Sequence, residues 1–354
     1  MSEVVELSGA PGGKVRSAWE KAKDDNPGMR ARDAAALLGV SEAGLVASLV
    51  GYGAVRLEGD FSGLIERMPE AGEVMVLTRN ESCVHEKIGE YGNIDISSGG
   101  GVVLNHDVDL RVFMGQWRYG YAIEEPMKDG GVRRSLQFFD GAGVAVHKIY
   151  ARDATDITIW TGIVDAFRAD DQSDVFEPQV YPAKPAEKTD SEIDIPGLRA
   201  AWEALEDVHD FFGMLREFGV GRHQAFRLVG PPHAERVQVG SARRVLETAA
   251  QRSAPIMVFV GNRGCIQIHT GPVERIKAMG PWLNVLDPGF NLHLREDRIE
   301  SAWVIRKPTR DGTVTSLELF DADGVNLAMF FGERKPGQNE RDDWREIVGT
   351  LEAA

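Results

Sequence analysis

The chain has 354 residues, with 40 Lys or Arg against 55 Asp or Glu, and a formal net charge of −15. This acidity argues against a nucleic-acid-binding surface, which needs clustered basic residues. No apolar run has the length of a membrane span, and the start MSEVVELSGAPGG lacks the basic and apolar regions of a signal peptide. Two cysteines give no disulfide framework, which is typical of a reducing compartment.

The predicted elements begin with helices and continue with strands. Three helices are predicted at KVRSAWEKAKDD, ARDAAALLGV and SEAGLVASLVG, the last with Ser41 as its cap. Alternating β-rich runs follow, separated by Gly, Asn and Asp: EVMVLTR, CVHEKIG, VVLN, DLRVFM, YGYAIEE, VRRSLQFF and VAVHKIYA. TDITIWTGIVDAFRA predicts an amphipathic helix that closes this half.

The second half repeats this order after a polar, acidic and proline-containing linker at residues 168–194. LRAAWEALEDVHDFFGMLREFG predicts its first helix, and another helix is predicted near SARRVLETAAQR. The predicted strands are PIMVFVG, CIQIHTG, WLNVLDP, FNLHLRE, SAWVIRK, TSLELF and NLAMFFGE. DDWREIVGTLEA predicts the last helix.

Similar runs recur in the two halves. VLTRNESCVHEKIGEYGN returns as VFVGNRGCIQIHTGPVER, and SLQFFDGAGV returns as SLELFDADGV. Asn80 and Cys83 thereby correspond to Asn262 and Cys265. The period is too long for a solenoid of small repeats, so an ancestral unit of domain size was duplicated and fused. We expect both cysteines to be small buried thiols at strand starts.

The duplication predicts the fold class and the domain limits. We expect an α+β fold of two tandem pseudo-symmetric repeats, each a large antiparallel sheet with packed helices. The predicted limits are residues 1–167 for the first repeat, 168–194 for the linker and 195–354 for the second repeat. Positions at which the repeats differ in a His or Arg are not required by the shared fold, which favours a functional role there.

His209 is the histidine with the most suggestive surroundings. It lies in EDVHDFFGMLREFG, among aromatic and Met residues, and the chain has no HExxH or CxxC zinc pattern. An axial ligand to a large, flat, apolar cofactor would have such neighbours. The alternative is a half-buried histidine at a helix edge that is hydrogen-bonded to backbone.

Two other candidates lie in predicted strands and have unlike counterparts in the other repeat. Arg111, in DLRVFMGQW, corresponds to His293, and His85, in SCVHEKIG, corresponds to Gln267. Arg111 is either a functional cation or a solvated strand charge. His85 is either a second metal ligand or an ordinary polar strand residue.

Basic residues also recur in the second half, in a chain that is acidic overall. They are Arg222, Arg306, Lys307, Arg334 and Lys335. Neighbouring strands could bring them together into a carboxylate-binding patch. The alternative is a solvated rim.

A helix-turn-helix spacing in the first half offers a distant alternative, a DNA-binding regulator. The spacing occurs in ARDAAALLGVSEAGLVASLVG, with Gly39 at the turn. Its second helix has no Arg, Lys, Asn or Gln to contact bases or phosphates. We therefore expect no nucleic-acid partner.

A set of longer runs carries a family resemblance over nearly the full length. They are NPGMRARDAAALLGVSEAGL, TRNESCVHEKIG, EDVHDFF, FVGNRGCIQIHTGPVERI, LDP with FNLHL, and RKPTRDGTVTSLELFDADG. On these runs the chain resembles the bacterial hemin-degrading or hemin-transport proteins of the HemS, HmuS, ChuS and PhuS type.

The resemblance implies a cytoplasmic protein of iron acquisition that receives heme after import and holds it between the two repeats. Members of this family degrade heme or carry it to a separate heme oxygenase. We expect heme degradation with release of iron, using O2 and an external electron donor, and a heme carrier as the alternative. The partners implied are heme, the cytoplasmic side of the importer and a downstream heme oxygenase. A monomer or homodimer is expected, without membrane insertion.

The resemblance also implies roles for individual residues. The family's axial histidine falls on His209, and its distal arginine falls on Arg111, the predicted catalytic residue, with Phe113 as an aromatic contact. A histidine discussed as a secondary heme contact falls on His85. The propionate-binding residues fall on Arg222, Lys307 and Arg334.

The sequence departs from the family pattern near the expected heme. A family tyrosine is replaced by Phe331, which removes a hydroxyl donor but remains a predicted heme contact, and a nearby glutamine is replaced by Met329. Some relatives carry extra histidines just after the axial one, whereas here Asp210 and Phe211 follow His209. This argues against ligand switching among adjacent histidines, and with it against a pure hand-off role.

Overall fold

Each half of the chain contains helices and a long series of strands, in the predicted order. The computed structural model describes residues 7, 9–97, 99–183, 186–334 and 337–354. Within these residues it contains ten α-helices and eighteen β-strands, which confirms the α+β class. None of the described helices combines the length and apolar character needed to cross a membrane.

The first half contributes five of these helices and nine strands. The helices are α1 Gly12–Asp25, α2 Ala31–Leu38, α3 Glu42–Ala47, α4 Phe61–Arg67 and α5 Ile157–Ala166. The strands are β1 Ala54–Leu57, β2 Val74–Arg79, β3 Cys83–Gly89, β4 Ile94–Ser97, β5 Gly100–Leu104, β6 Asp109–Val112, β7 Tyr119–Pro126, β8 Val132–Phe139 and β9 Ala145–Ala151. Ser41 caps α3, since its hydroxyl accepts from the backbone N–H of Gly44 at 3.0 Å, as predicted.

The second half contributes the same numbers of elements. The helices are α6 Ile195–Glu203, α7 Phe211–Phe218, α8 Arg222–Val229, α9 Ser241–Arg252 and α10 Asp342–Gly349. The strands are β10 Ala234–Val237, β11 Ile256–Gly261, β12 Cys265–Gly271, β13 Ile276–Met279, β14 Trp282–Asp287, β15 Phe290–Arg295, β16 Ser301–Thr309, β17 Gly312–Phe320 and β18 Asn326–Gly332. The described strands form two nine-stranded sheets.

The described chain divides into two compact units that are not simply consecutive halves. The first unit consists of Met1–Arg79, Glu86–Pro182 and Asn262–Gln267. The second consists of Asn80–His85, Ala183–Gly261 and Ile268–Ala354. Asn80–His85, from the first half of the sequence, thus belongs to the second unit, and the equivalent Asn262–Gln267, from the second half, belongs to the first unit. The predicted limits at residues 167 and 195 follow the repeat in the sequence and do not include this exchange.

Strand order repeats from one unit to the other. In the first unit the antiparallel neighbours run β1-β7-β8-β9-β2, and in the second they run β10-β16-β17-β18-β11. Each unit also holds a three-stranded meander, β4-β5-β6 or β13-β14-β15. The tandem repeat that the sequence predicts is therefore present in the topology.

Two equivalent asparagines close equivalent turns. The Oδ1 atom of Asn80 accepts from the backbone N–H groups two and three residues later, at 3.0 and 2.8 Å, and that of Asn262 does the same at 2.9 and 3.0 Å. Cys83 and Cys265 follow as the first residues of β3 and β12, and both are fully buried. Burial raises the pKa of Cys265 to about 12. The prediction of small buried thiols is confirmed.

The region around His209 departs from the predicted single helix. Helix α6 ends at Glu203, a 3-10 turn covers Val208–Asp210, and α7 begins only at Phe211. Asp207 has extended backbone (φ −140°, ψ 139°), and its side chain accepts from the backbone N–H of His209. Aspartate favours the position before a helical turn over a helix interior, because its carboxylate competes for backbone donors. One continuous helix was therefore the wrong prediction.

The predicted linker makes defined contacts within each unit. In the first unit, Gln172 accepts from the backbone N–H of Arg56 at 3.0 Å and donates to its carbonyl at 2.8 Å. In the second, Arg227 donates to Asp190 at 2.7 Å. Two residues in the middle of the linker lie outside the described residues. Its described parts are accordingly ordered against the unit to which each belongs.

Candidate functional site

His209 lies on the surface of the second unit and is held by a carboxylate. Its side chain is 88% exposed, and its ring Nδ1 lies 2.6 Å from Oδ1 of Asp207. The same oxygen accepts from the backbone N–H of His209 at 2.8 Å. The backbone N–H and then the ring of His209 lower the pKa of Asp207, so this carboxylate is ionised and the ring nitrogen is the donor. Nε2 is therefore the nitrogen left for a metal.

An exposed aromatic side chain follows His209. Phe212 is 59% exposed, whereas the adjacent Phe211 is buried and packs edge-on against Trp202 with ring centroids 5.0 Å apart. The exposed ring of Phe212, three residues after His209, is called here the apolar face. The sequence-based alternative, a half-buried histidine bonded to backbone, does not describe this arrangement.

Arg222 and Lys307 share one buried carboxylate. Nε and Nη2 of Arg222 donate to the two oxygens of Glu318 at 2.7 Å each, and Nζ of Lys307 donates at 3.2 Å. Burial acts to raise the pKa of Glu318, but the two cations prevail and lower it to about 2. Burial lowers the pKa of Lys307 to about 8. Near neutral pH this group of three residues, called here the cation cluster, carries one net positive charge.

The cation cluster adjoins the aromatic residues that follow His209. The guanidinium carbon of Arg222 lies 5.2 Å from the ring centroid of Phe211 and 5.4 Å from that of Phe212. Nζ of Lys307 lies 4.4 Å from the Phe211 centroid. These are cation–π distances. The structure thus brings an exposed histidine, an apolar face and a net positive charge into one region of the second unit.

Met329 and Phe331 lie on one face of β18, because residues two apart in a strand point the same way. Nη2 of Arg222 lies 3.3 Å from Sδ of Met329, and Met329 is the cross-strand neighbour of Glu318. Phe331 packs against Phe259 with centroids 5.0 Å apart. Both departures from the family pattern therefore lie on the strand face that borders the cation cluster.

Arg334 follows β18, and the Nε donor of its guanidinium is the notable atom. Its Nε atom is buried and has no hydrogen-bond partner among the described residues. A buried guanidinium donor without a partner is unfavourable unless an anion completes it. This orphaned donor fits a role in anion binding. Lys335, its neighbour in the predicted basic set, lies outside the described residues.

Arg306 does not join the cation cluster. It is adjacent to Lys307 in β16, so the two side chains point to opposite faces of the sheet. Arg306 donates to Glu235 at 2.8 Å and to the carbonyl of Pro232 at 3.0 Å. The prediction that Arg306 belongs to a common carboxylate-binding patch was therefore wrong, because adjacent residues of a strand point to opposite faces.

Arg111 and Phe113 belong to the first unit. Arg111 is in β6, opposite Val102 of β5, and its side chain is 36% exposed and paired with Asp109. It also donates to the carbonyl of Leu110 at 3.2 Å. Phe113 is 40% exposed. Both side chains are thus partly open to solvent, and Arg111 has a carboxylate two residues earlier, as His209 does.

His85 differs from the other candidates because it is completely buried. It lies in β3, and its ring centroid is 4.9 Å from that of Phe290 in the core of the second unit. Its side chain has no exposed surface, whereas that of His209 is largely exposed. A contact between His85 and heme remains a prediction.

The first repeat has a buried group of the same composition, one Glu with one Arg and one Lys, but with the residue types at different positions. Glu42 begins α3 where Arg222 begins α8, and it pairs with Arg79 and Lys148. Lys148 corresponds to Met329 in the aligned repeats. A buried Arg–Glu–Lys group with one net positive charge therefore occurs in both repeats, and only the positions that carry the cations of the cation cluster are specific to the second repeat.

Three residues of the site were not singled out as functional from the sequence: Asp207, Phe212 and Glu318. The alternation in SLELF, with Leu317 and Leu319 buried, places Glu318 on the other strand face and could have marked it. The pattern Asp-Val-His could have marked Asp207 as a cap. Phe212 offered no signal beyond its nearness to His209.

A family model matches the chain twice. The model is described as the haemin-degrading HemS.ChuX domain, and it matches residues 39–167 and residues 219–351. Two successive matches confirm the tandem repeat.

Relatives match over almost the whole length. The hemin transport protein HemS of Yersinia enterocolitica is 42% identical over 332 residues, covering 94% of this chain and 95% of that protein. The hemin transport protein HmuS of Yersinia pestis is 41% identical over 334 residues, covering 94% and 96%.

Two solved structures have closely similar folds. Holo-PhuS, a heme-binding protein from Pseudomonas aeruginosa, superposes with a TM-score of 0.95 at 46% identity, covering 97% of this chain and 99% of that chain. ChuS, the heme degrading enzyme of Escherichia coli O157:H7, gives a TM-score of 0.90 at 38% identity, covering 96% and 99%.

Proposed function

This chain belongs to the haemin-degrading HemS.ChuX domain family, and on that premise we propose that it binds heme and degrades it to release iron. The observation that carries the proposal is the exposed, carboxylate-held ring of His209 beside the apolar face and the cation cluster. Heme is the substrate in this proposal. The proposed setting is cytoplasmic, after heme import, with the importer or a downstream acceptor as protein partner.

His209 supplies the axial ligand. Heme iron is commonly held by a histidine nitrogen, and the other ring nitrogen then usually donates to a carboxylate or carbonyl. Asp207 occupies that second position at 2.6 Å. Phe212 offers 59% of its surface to a flat apolar ring. Together these residues meet the chemical requirements of one face of a porphyrin.

The basic residues supply the counter-charges for the two propionates. Arg222 and Lys307 retain one net positive charge after pairing with Glu318, and Arg334 adds a second, with an Nε that has no hydrogen-bond partner among the described residues. A charge-assisted contact to a carboxylate contributes on the order of 1–3 kcal/mol. This charge balance supports binding of a dianionic ligand.

Arg111, whose guanidinium is paired with Asp109, supplies hydrogen-bond donors for the chemistry, and Phe113 an aromatic contact. A guanidinium is always protonated near neutral pH and cannot be a general base. Its work would be electrostatic, stabilising negative charge that develops during oxygen chemistry or holding a water molecule. Bound heme would supply the redox chemistry, with O2 and electrons from an external donor.

The experiment that tests the proposal starts from the protein loaded with heme without oxygen. A reductant and then O2 are added in the presence of catalase, which removes free peroxide. The expected result is loss of the heme absorption together with a ring-opened tetrapyrrole and chelatable iron. Intact heme after many hours would contradict degradation.

A heme carrier is the second candidate function, and the exposure of His209 favours it. An axial ligand whose side chain is 88% exposed before binding is accessible to an acceptor protein. Mixing the heme-loaded protein with an apo acceptor that has a distinct heme spectrum measures transfer. Transfer faster than spontaneous heme loss, with no degradation under the conditions above, would favour the carrier.

A further inference from the structure

The hydrogen bond between Asp207 and His209 has a chemical consequence beyond helix capping. Oδ1 of Asp207 accepts from both the backbone N–H and the ring Nδ1 of His209, at 2.8 and 2.6 Å. One atom therefore fixes both the start of the 3-10 turn and the orientation of the imidazole. A cap alone needs only the backbone contact.

The segment that carries Asp207 is itself anchored. The carbonyl of Glu206 accepts from the backbone N–H of Arg310 at 3.0 Å, and the Arg310 guanidinium donates to the Glu206 carboxylate. Trp202, at the end of α6, donates from its indole to the carbonyl of Arg306 at 2.9 Å. These contacts tie both ends of the bend to β16 and the turn after it. The carboxylate of Asp207 is thus placed by the fold.

We propose that Asp207 is a positioning residue that selects the Nδ1–H tautomer of His209 and increases electron donation from Nε2 to the iron of bound heme. This inference rests on the proposed function, because it assigns a role toward heme. It is nevertheless testable in part without heme, since the tautomer is a property of the free protein.

The contact between the Asp207 carboxylate and the His209 ring is a charge-assisted hydrogen bond, which is stronger than a neutral one. Free imidazole exchanges between two neutral tautomers, and a carboxylate that accepts from Nδ1 leaves the lone pair on Nε2. Partial transfer of the Nδ1 proton toward the carboxylate makes Nε2 a stronger base and ligand. Such donation stabilises ferric over ferrous iron and strengthens the iron–histidine bond. Loss of an outer partner of this kind typically lowers metal affinity about 10–100-fold.

The chain offers a matched set of variants. Asp207→Asn keeps an oxygen that can cap the turn and accept from the ring, but it removes the charge. Asp207→Ala removes the acceptor as well. Asp210→Asn is the control, because Asp210 adds the same charge on the other side of His209 and has no hydrogen bond to the ring.

In the free protein, ¹⁵N NMR of the His209 side chain at a pH where the ring is neutral measures the tautomer. We expect Nδ1–H in the wild type and in Asp210→Asn, and a mixture dominated by Nε2–H in Asp207→Ala. An unchanged tautomer in Asp207→Ala would overturn the positioning role, whether or not the protein binds heme.

In the heme-loaded protein, resonance Raman spectroscopy of the ferrous form and redox titration measure electron donation. We expect a lower iron–histidine stretching frequency and a higher midpoint potential in Asp207→Asn, and wild-type values in Asp210→Asn. Equal shifts in both variants, or none in either, would overturn the inference while histidine ligation stands. If wild-type iron is not ligated by His209 at all, the proposed function fails instead.

Discussion

Arg222 holds both carboxylate oxygens of Glu318, with nitrogen–oxygen distances of 2.7 Å for each contact. Glu318 is fully buried and also accepts from Lys307. The carboxylate therefore fixes two cations beside the aromatic residues that follow His209, and it leaves one unit of positive charge. The same residue both builds the proposed propionate site and limits its charge.

Removing the charge of Glu318 should destabilise the ligand-free protein. Glu318→Gln leaves Arg222 and Lys307 without a counter-charge in a buried place, which typically costs about 3–5 kcal/mol. Urea and thermal unfolding measure this loss. Heme should restore part of it, because propionates replace the missing carboxylate. Glu235→Gln, which breaks the exposed pair with Arg306, is the control and should change stability by about 1 kcal/mol or less. Equal, small effects of both changes would contradict the assigned role of Glu318.

Heme affinity should depend on Arg334. Its Nε has no partner among the described residues, so Arg334→Gln removes a ligand contact without breaking an internal ion pair. We expect the affinity for heme to fall by about tenfold or more, as loss of 1.4 kcal/mol or more implies. Arg306→Gln is the matched control, since Arg306 is occupied by Glu235.

Heme dimethyl ester provides the complementary test of the basic residues. If propionates are recognised by Arg222, Lys307 and Arg334, the ester binds the wild type more weakly than heme does. Single replacements of these residues should then hardly change its affinity. If the ester binds as tightly as heme, the protein does not recognise the propionates.

Arg111 should matter for turnover more than for binding. Loss of a preorganised electrostatic donor typically reduces a rate about 10²–10³-fold, whereas the proposed axial bond and propionate contacts remain in Arg111→Ala. The variant should bind heme yet degrade it slowly with reductant, O2 and catalase. Arg133→Ala, which removes an exposed arginine of the same unit, is the control. Full activity of Arg111→Ala would reject the assignment while leaving the enzyme intact.

The stability of the first unit should fall in mild acid because of His147. Burial lowers the pKa of this histidine to about 3, and its ring contacts Thr78 at 2.9 Å and Tyr91 at 2.8 Å. Between pH of about 3 and 6.5 the unfolded chain binds a proton that the folded chain does not. Stability therefore rises with pH in this window and falls by roughly 1.4 kcal/mol per unit as the pH drops.

The free energy of unfolding, measured against pH, checks this expectation. His147→Gln should reduce the slope by about one proton between pH 4 and 6, whatever its effect on stability at pH 7. His106→Gln changes an 87% exposed ring and should preserve the slope. A slope that is the same in His147→Gln and the wild type would show that another group is responsible.

Much of the fold could be predicted because its signals are local. Period-two alternation identified the long strands, Ser41 marked a helix start, and the recurrence of Asn80 as Asn262 revealed the duplication. The two asparagines form the same turn in the structure. In each turn the short asparagine side chain accepts from a backbone N–H group two or three residues later, so the turn depends only on local sequence.

The remainder depends on contacts between residues distant in sequence. Nothing local to Arg222 shows that Glu318 will neutralise half of the charge around it, since 96 residues separate the two. The helix break before His209 escaped prediction because apolar periodicity outweighed the capping preference of Asp207. The burial of His85 could not be predicted either. The alternation of a strand assigns its residues to two faces of the sheet, but it does not show whether both faces are buried.

His209 is the proposed ligand of heme iron. The most direct test compares absorption and resonance Raman spectra of heme-loaded wild type and His209→Ala, in ferric and ferrous forms. We expect an iron–histidine stretching band in the ferrous wild type that is absent from His209→Ala, even where the cation cluster and the apolar face retain some heme. The same band and the same spectra in both proteins would contradict this assignment.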